Sequence, residues 1–208
     1  MTTVALTMRV TDADGYHEPR DSISHDWLNT LRAWNMHPVL LPNAGAHAAE
    51  IFAETDLDLL ILTGGEDIGR APERDGTEKI LLDRALENGT AVFGVCRGLQ
   101  LINTVLGGRL DRVEGHVASD HAVTVAGEWA PFYGDTATIN SFHNIAVPAD
   151  GVGSGLKATA WDSSGNVEGL RHESKPLAAV MWHPERRGGH AGDLRLVQSL
   201  IETARSSA

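Results

Sequence analysis

The sequence holds one cysteine in 208 residues, Cys96. A single cysteine makes no internal disulfide, so nothing in the composition points to an oxidising compartment. No window approaches the roughly 18 to 20 apolar residues of a membrane span. Met1 runs directly into a strand-like segment, without the basic and then apolar stretch of a signal peptide. Cytoplasmic residence is therefore the expectation. Basic charge is scarce too: 17 Lys and Arg stand against 28 Asp and Glu, a formal net charge of −11. That balance argues against a general nucleic-acid or anionic-membrane surface, but a few local arginines could still hold a small anion. Internal repeats, low-complexity linkers and signs of a second domain are missing. The expectation is one domain, 1–208, large enough to bury a core without disulfides or structural metal.

Metal-binding patterns are lacking as well. There is no His-Glu-x-x-His helix, and His116 and His121 are too isolated in the sequence to suggest a ligand set. The stretch Asp12-Ala13-Asp14-Gly15 lacks the later acids of a calcium loop. Neither metal nor cofactor is expected.

What the chain does have is alternation. Residues 4–10 read as a buried strand, 11–20 as a polar segment, and Asp21 or Ser22 as the cap of a helix burying Ile23, Trp27, Leu31 and Trp34. A strand at 37–42, a short helix at 47–54 and an apolar run at 57–62 follow. The spacing then predicts a helix at 72–87 with Ile80, Leu82, Ala85 and Leu86 inward and its acids and bases outward. Short buried strands alternating with amphipathic helices imply an α/β fold with a mainly parallel sheet. Residues 113–125, 136–147 and 157–180 read instead as antiparallel strands and loops on the edge or face of that sheet. A last helix covers 193–204.

The chemistry centres on residues 91–108. An apolar strand runs into Gly94-Val95-Cys96-Arg97-Gly98, then into a helix with Gly98, Leu101, Ile102 and Val105 on one face, ended by Gly107-Gly108. Strand, Gly-x-Cys-x-Gly turn and helix make a nucleophile elbow that thrusts the thiol out at a helix N-terminus favourable to thiolate. Alone, the motif fits a packed structural thiol as well as a nucleophile. A nucleophile needs a base and an orienting group. His183 and Glu185 follow the apolar run 178–182, and in an extended segment i and i+2 share one side. The Gly64-Gly65 turn after another apolar run could offer an N–H that, with the N–H of Arg97, forms an oxyanion hole.

The segment Phe93-Gly94-Val95-Cys96-Arg97-Gly98-Leu99-Gln100-Leu101-Ile102-Asn103 resembles the nucleophile motif of class I glutamine amidotransferases, and more closely the γ-glutamyl hydrolases of the peptidase C26 family. Leu62-Thr63-Gly64-Gly65-Glu66-Asp67, Glu73-Arg74-Asp75, Asn140-Ser141-Phe142-His143 and Trp182-His183-Pro184-Glu185 agree, in the family's order. The resemblance implies a flavodoxin-like class I glutamine amidotransferase fold and a Cys96–His183–Glu185 triad that cleaves a γ-glutamyl amide through a thioester. It further implies oxyanion N–H groups from Gly65 and Arg97, a glutamyl pocket lined by Gln100, and glutamyl-group binding by Asn140, Ser141, Phe142 and His143. His143 has a rival role as a second base, but lacks a carboxylate two residues on.

The stretch between Asp67 and Glu73 is shorter than in the polyamine and folate branches. Met8-Arg9, Tyr16-His17-Glu18-Pro19-Arg20-Asp21 and Asp26-Trp27 resemble instead the branch that hydrolyses γ-glutamyl-CDP-amidate in making phosphoramidate-bearing surface polysaccharide. Arg9 and Arg20, with Arg186 and Arg187, would pair with such a diphosphate. The alternatives are a γ-glutamyl-GABA hydrolase, a glutaminase chain serving a separate synthetase, and a non-catalytic ligand-binding module. The partner implied is a small γ-glutamyl molecule, with homo-oligomerisation open and neither nucleic acid nor membrane expected.

Overall fold

A computed structural model describes residues 2–207. The first half alternates as its hydrophobic pattern requires: β1 (Thr2–Thr7), a hairpin of β2 (Arg9–Asp12) and β3 (Pro19–Ser22), α1 (His25–Ala33), β4 (Met36–Leu41), α2 (Ala46–Glu54), β5 (Leu59–Leu62), α3 (Pro72–Asn88), β6 (Ala91–Val95) and α4 (Arg97–Val105). The second half supplies β7 (Asp111–Arg112), β8 (Val117–Val125), α5 (Ala130–Tyr133), β9 (Thr136–Phe142), β10 (Ile145–Ala146), β11 (Leu156–Trp161), β12 (Val167–His172), β13 (Leu177–Val180) and α6 (Gly192–Ser207).

Nine strands form one sheet in the order β4-β1-β5-β6-β13-β12-β11-β8-β9. The first five are parallel to one another. Numbered among themselves they run 2-1-3-4-5, the flavodoxin-like doubly wound order. Every residue of β5, β6 and β13 is buried, which is why these strands read as continuous apolar runs rather than alternating ones. The antiparallel strands extend the same sheet beyond β13. Among the described residues, no helix is long and apolar enough to cross a membrane.

Several expectations need correcting. The first strand stops at Thr7; Arg9–Asp12 leaves the sheet and pairs antiparallel with Pro19–Ser22, the chain turning back through Gly15 at φ +83°. Its ladder partner lies in a segment whose polarity hid the strand. Ser24, not Asp21 or Ser22, caps α1, because the Asp21 carboxylate is taken by the backbone and side-chain N–H groups of Asn43. In α3 the inward face carries Arg74 and Glu78, both fully buried, while Ile80 is exposed. The polarity rule failed there because this face meets another buried arginine, from α4. The end of α4 is as expected, with Gly107 at φ +85°.

Candidate active site

Three adjacent parallel strands deliver the predicted residues to one edge of the sheet. At their carboxyl ends, β5 leads into Thr63-Gly64-Gly65, β6 into Cys96, and β13 through Met181 and Trp182 to His183. Open α/β sheets place their sites on this edge.

Cys96 is held at φ 51° and ψ −101°, a conformation that L residues rarely adopt and that persists only where surroundings enforce it. Packing does so. A Cβ on Gly98 would sit 2.1 Å from the Leu62 carbonyl oxygen, and one on Gly94 2.6 Å from Ile102 Cδ1. The turn is thus wedged between β5 and α4 at two points where only glycine fits. The thiol itself is buried, and burial, then the Glu185 carboxylate, push its pKa up to about 12. The backbone N–H of Arg97 acts in the opposite direction, but the helix-start effect is outweighed. Burial thus works against the thiolate that the helix start was expected to favour.

His183 is buried, with its Nδ1 2.7 Å from Glu185 Oε1. A carboxylate opposite Nδ1 fixes a proton there, so in the neutral ring the lone pair is on Nε2. Among the described residues Nε2 has no hydrogen-bond partner although it is buried. The two side chains meet through a turn rather than an extended segment, with the Arg186 N–H donating to the His183 carbonyl at 3.2 Å. Asn140 clamps the same residue: its Oδ1 accepts from the His183 N–H at 2.8 Å and its Nδ2 donates to the His183 carbonyl at 2.9 Å. Gly64 lies between His183 and the elbow, since a Cβ there would be 2.8 Å from His183 Cε1 and 3.7 Å from Cys96 Cβ.

Beneath the Gly64-Gly65 turn lies a charge network that sequence reasoning missed. Arg74 Nη2 donates to the carbonyls of Thr63 at 2.8 Å and Gly64 at 3.1 Å. Its Nε pairs with Glu78 at 2.9 Å and its Nη1 with Glu66 at 3.0 Å. Arg97, also buried, pairs through its guanidinium with Glu78 and Asp75. Burial would raise the Glu66 carboxyl, yet the Arg74 charge leaves it below its ordinary range. The consequence for the turn is geometric. No peptide is cis among the described residues, so the Gly65 N–H points opposite to the Gly64 carbonyl that Arg74 holds. The Glu73-Arg74-Asp75 motif was the available signal, but nothing local placed it inside.

The remaining predicted residues divide. Gln100 is buried and donates to the Ile145 carbonyl at 3.0 Å. The Ser141 hydroxyl donates to the His116 carbonyl at 2.8 Å, so it and Asn140 spend their side chains on the protein. Phe142 stands edge-on to His183, centroids 5.6 Å apart, under the Arg186 guanidinium. Arg9 and Arg186 border a small solvent-open cleft together with Trp27, Gly65, His183 and Glu185. Arg20 stays on the β2–β3 hairpin, held by Glu18 at 3.0 Å and the Tyr16 hydroxyl at 3.1 Å. It is not among the cleft residues.

Three histidines share one carboxylate neighbour. His143 does have a carboxylate: its Nε2 is 3.4 Å from Glu168 Oε1. His116 and His121, isolated in sequence, stand 4.7 Å apart ring to ring, each facing Glu168 as well. Strand β12 brings this glutamate to all three, a contact that no local spacing encodes.

A doubly wound parallel core with a cysteine elbow beside a His–Glu pair defines an α/β protein of the class I glutamine amidotransferase type. The chain belongs to the peptidase C26 family, whose sequence model matches residues 2–185. It is 33% identical over 196 residues to a candidate glutamine amidotransferase of Mycobacterium tuberculosis, covering 80% of this chain and 62% of that protein, so it spans under two thirds of that relative's length. It is 27% identical over 199 residues to the gamma-glutamyl-CDP-amidate hydrolase of Campylobacter jejuni, covering 89% of this chain and 91% of that one. In fold it matches the crystal structure of a candidate GMP synthase component from Thermoplasma acidophilum. The TM-score there is 0.77 at 20% identity, over 100% of this chain and 97% of the other.

Proposed function

We propose that the chain is a single-domain cysteine hydrolase that cleaves a γ-glutamyl amide through a thioester on Cys96 and releases glutamate. The observation that carries this reading is the state of His183. Glu185 claims its Nδ1 proton, and the buried Nε2 lone pair is left without a partner. That is the form a general base needs.

The reaction starts from the neutral thiol. As the sulfur closes on the γ-carbonyl, His183 Nε2 takes the thiol proton, the C–S bond forms, and the carbonyl π pair moves onto oxygen. The Gly65 and Arg97 N–H groups receive that oxyanion. Its collapse breaks the C–N bond, and the imidazolium passes its proton to the departing nitrogen. Water, deprotonated by the same Nε2, then attacks the thioester; glutamate leaves and the thiol recovers its proton. Glu185 holds the tautomer and need not take the proton itself. Gln100 and the backbone of residues 140–143 bind the glutamyl group, with Asn140 holding the base in place.

A nucleotide-linked leaving group, as in γ-glutamyl-CDP-amidate, is favoured by the likeness to the Campylobacter hydrolase over about nine tenths of both chains. The cationic Arg9 and Arg186 at the cleft support it, whereas Arg20, occupied by Glu18, adds nothing. The second reading is a glutaminase that hands ammonia to a separate synthetase, favoured by the likeness to the mycobacterial candidate amidotransferase. Glutamate release from glutamine, γ-glutamyl-GABA, γ-glutamyl polyglutamate and γ-glutamyl-CDP-amidate separates these readings. Fastest release from the nucleotide conjugate is expected, abolished in Cys96→Ala. Preference for glutamine would favour the glutaminase, and unaltered turnover in Cys96→Ala would sink the assignment altogether.

A further inference from the structure

We propose that His116, His121 and Glu168 form a binding site for one divalent transition-metal ion of the zinc class, with Asp162 and His143 completing its surroundings. One ligand atom from each of the three residues lies within 4.8 Å of the others. His121 Nε2 is 3.6 Å and His116 Nε2 4.0 Å from Glu168 Oε1. Ligand atoms around tetrahedral zinc stand about 3.4 Å apart, so a bound ion requires the most distant pair to close by up to about 1.4 Å, shared between two side chains.

The orientation of the rings adds to the distances. His116 Nδ1 lies 3.0 Å from the Glu114 carbonyl oxygen, and His143 Nδ1 3.0 Å from that of Ile145. A carbonyl only accepts, so both Nδ1 atoms carry a proton, and in the neutral ring each Nε2 is the nitrogen left to bind an ion. Both Nε2 atoms face carboxylates: His116 Nε2 is 3.0 Å from Asp162 Oδ2, within hydrogen-bond reach, and His143 Nε2 is 3.4 Å from Glu168 Oε1. A backbone carbonyl on one ring nitrogen with the other aimed at a shared point is how ligating histidines are oriented. Glu168 is fully buried, and neither of its oxygens has a hydrogen-bond donor among the described residues; the same holds for Nε2 of His121 and of His143. A buried carboxylate facing imidazole nitrogens without a geometric hydrogen bond calls for positive charge nearby. A divalent ion would satisfy these atoms at once, and its charge matches the two carboxylates. Imidazole with carboxylate suits zinc and its neighbours better than calcium or magnesium.

The site lies outside the elbow, although the Glu168 charge helps to hold the Cys96 thiol up. It ties the start of β8 and the turn after β9 to β12. The His116 carbonyl meanwhile accepts from the Ser141 hydroxyl and the His143 N–H. An ion there would staple the antiparallel half of the sheet next to Asn140, which clamps His183.

The test uses the full chain as Cys96→Ala, which removes the thiol as a competing ligand, stripped with chelator and titrated with Co²⁺ and then Zn²⁺. Expected are one Co²⁺ per chain with visible absorption of low-coordinate cobalt, displaced by Zn²⁺. Melting should rise by about 5–10 °C when free Zn²⁺ is 100 times its dissociation constant. Mg²⁺ should change neither. His121→Ala, at a half-buried position, and Glu168→Gln should each weaken Co²⁺ binding at least about 10-fold. No stoichiometric binding, or binding unchanged in a folded His121→Ala chain, overturns the proposal. Protons shared among the imidazoles would then supply the positive charge.

Discussion

Replacing Arg74 with lysine separates the two tasks that this buried guanidinium performs. Its Nε and Nη1 neutralise Glu78 and Glu66, while its Nη2 holds the Thr63 and Gly64 carbonyls. Lysine keeps the charge but concentrates its donors on one compact head, without the planar fork that spans carboxylates and two carbonyls together. The Gly64–Gly65 peptide then loses the contact that directs the Gly65 N–H. Loss of one oxyanion donor costs about 2.7–4 kcal/mol in the barrier, so kcat should fall about 100-fold or more. KM should change little, since the lost interaction is made mainly in the transition state. Arg74→Met goes further and leaves Glu78 buried without Arg74, which costs about 3–5 kcal/mol of stability. In a chain of this size that corresponds to a fall in Tm of roughly 6–20 °C. Steady-state glutamate release and calorimetric melting, on both variants, read the two effects apart. A folded Arg74→Lys protein with wild-type kcat would refute the idea that this arginine orients the turn.

Two further predictions concern protonation. Because burial holds the Cys96 thiol up to about 12, its iodoacetamide alkylation rate should climb steadily from pH 7 to pH 10; a plateau below pH 7 would reveal a standing thiolate–imidazolium pair instead. Tyr133 is buried with its hydroxyl donating to Asp193 at 2.8 Å, and burial, then the Asp193 charge, raise its pKa well above 10. The unfolded tyrosine ionises near pH 10 while the folded one stays neutral, so this group's stabilisation is complete below pH 10 and is lost as pH rises beyond it, by up to about 1.4 kcal/mol per unit. Tyr133→Phe should be less stable than wild type by about 1 kcal/mol at pH 8, and urea unfolding at pH 11 should find that gap closed or reversed. A gap independent of pH would contradict the assignment.

Sequence alone determined those parts of the protein whose physics is local. Buried parallel strands announce themselves as short apolar runs because both faces are covered, and β5, β6 and β13 fall close to where those runs stand. The elbow was legible because a sharp strand-to-helix turn demands small residues on both sides of Cys96, and Gly94 and Gly98 fill two places where a side chain would collide. Adjacency of His183 and Glu185 was legible for the same reason, although a turn rather than an extended strand brings them together.

Tertiary structure decided what depends on burial and on partners distant in the chain. Whether Cys96 rests as thiol or thiolate follows from its desolvation, which no motif carries. Arg74 and Glu78 looked like surface charges until Arg97, more than 20 residues from Arg74, was packed against the same glutamate. Arg9 reached the cleft while Arg20, on the same hairpin, was claimed by its neighbours. His116, His121 and His143 acquired a common carboxylate only when β12 was laid into the sheet. A charge or an imidazole takes its state from the atoms around it, and those atoms are chosen by the fold.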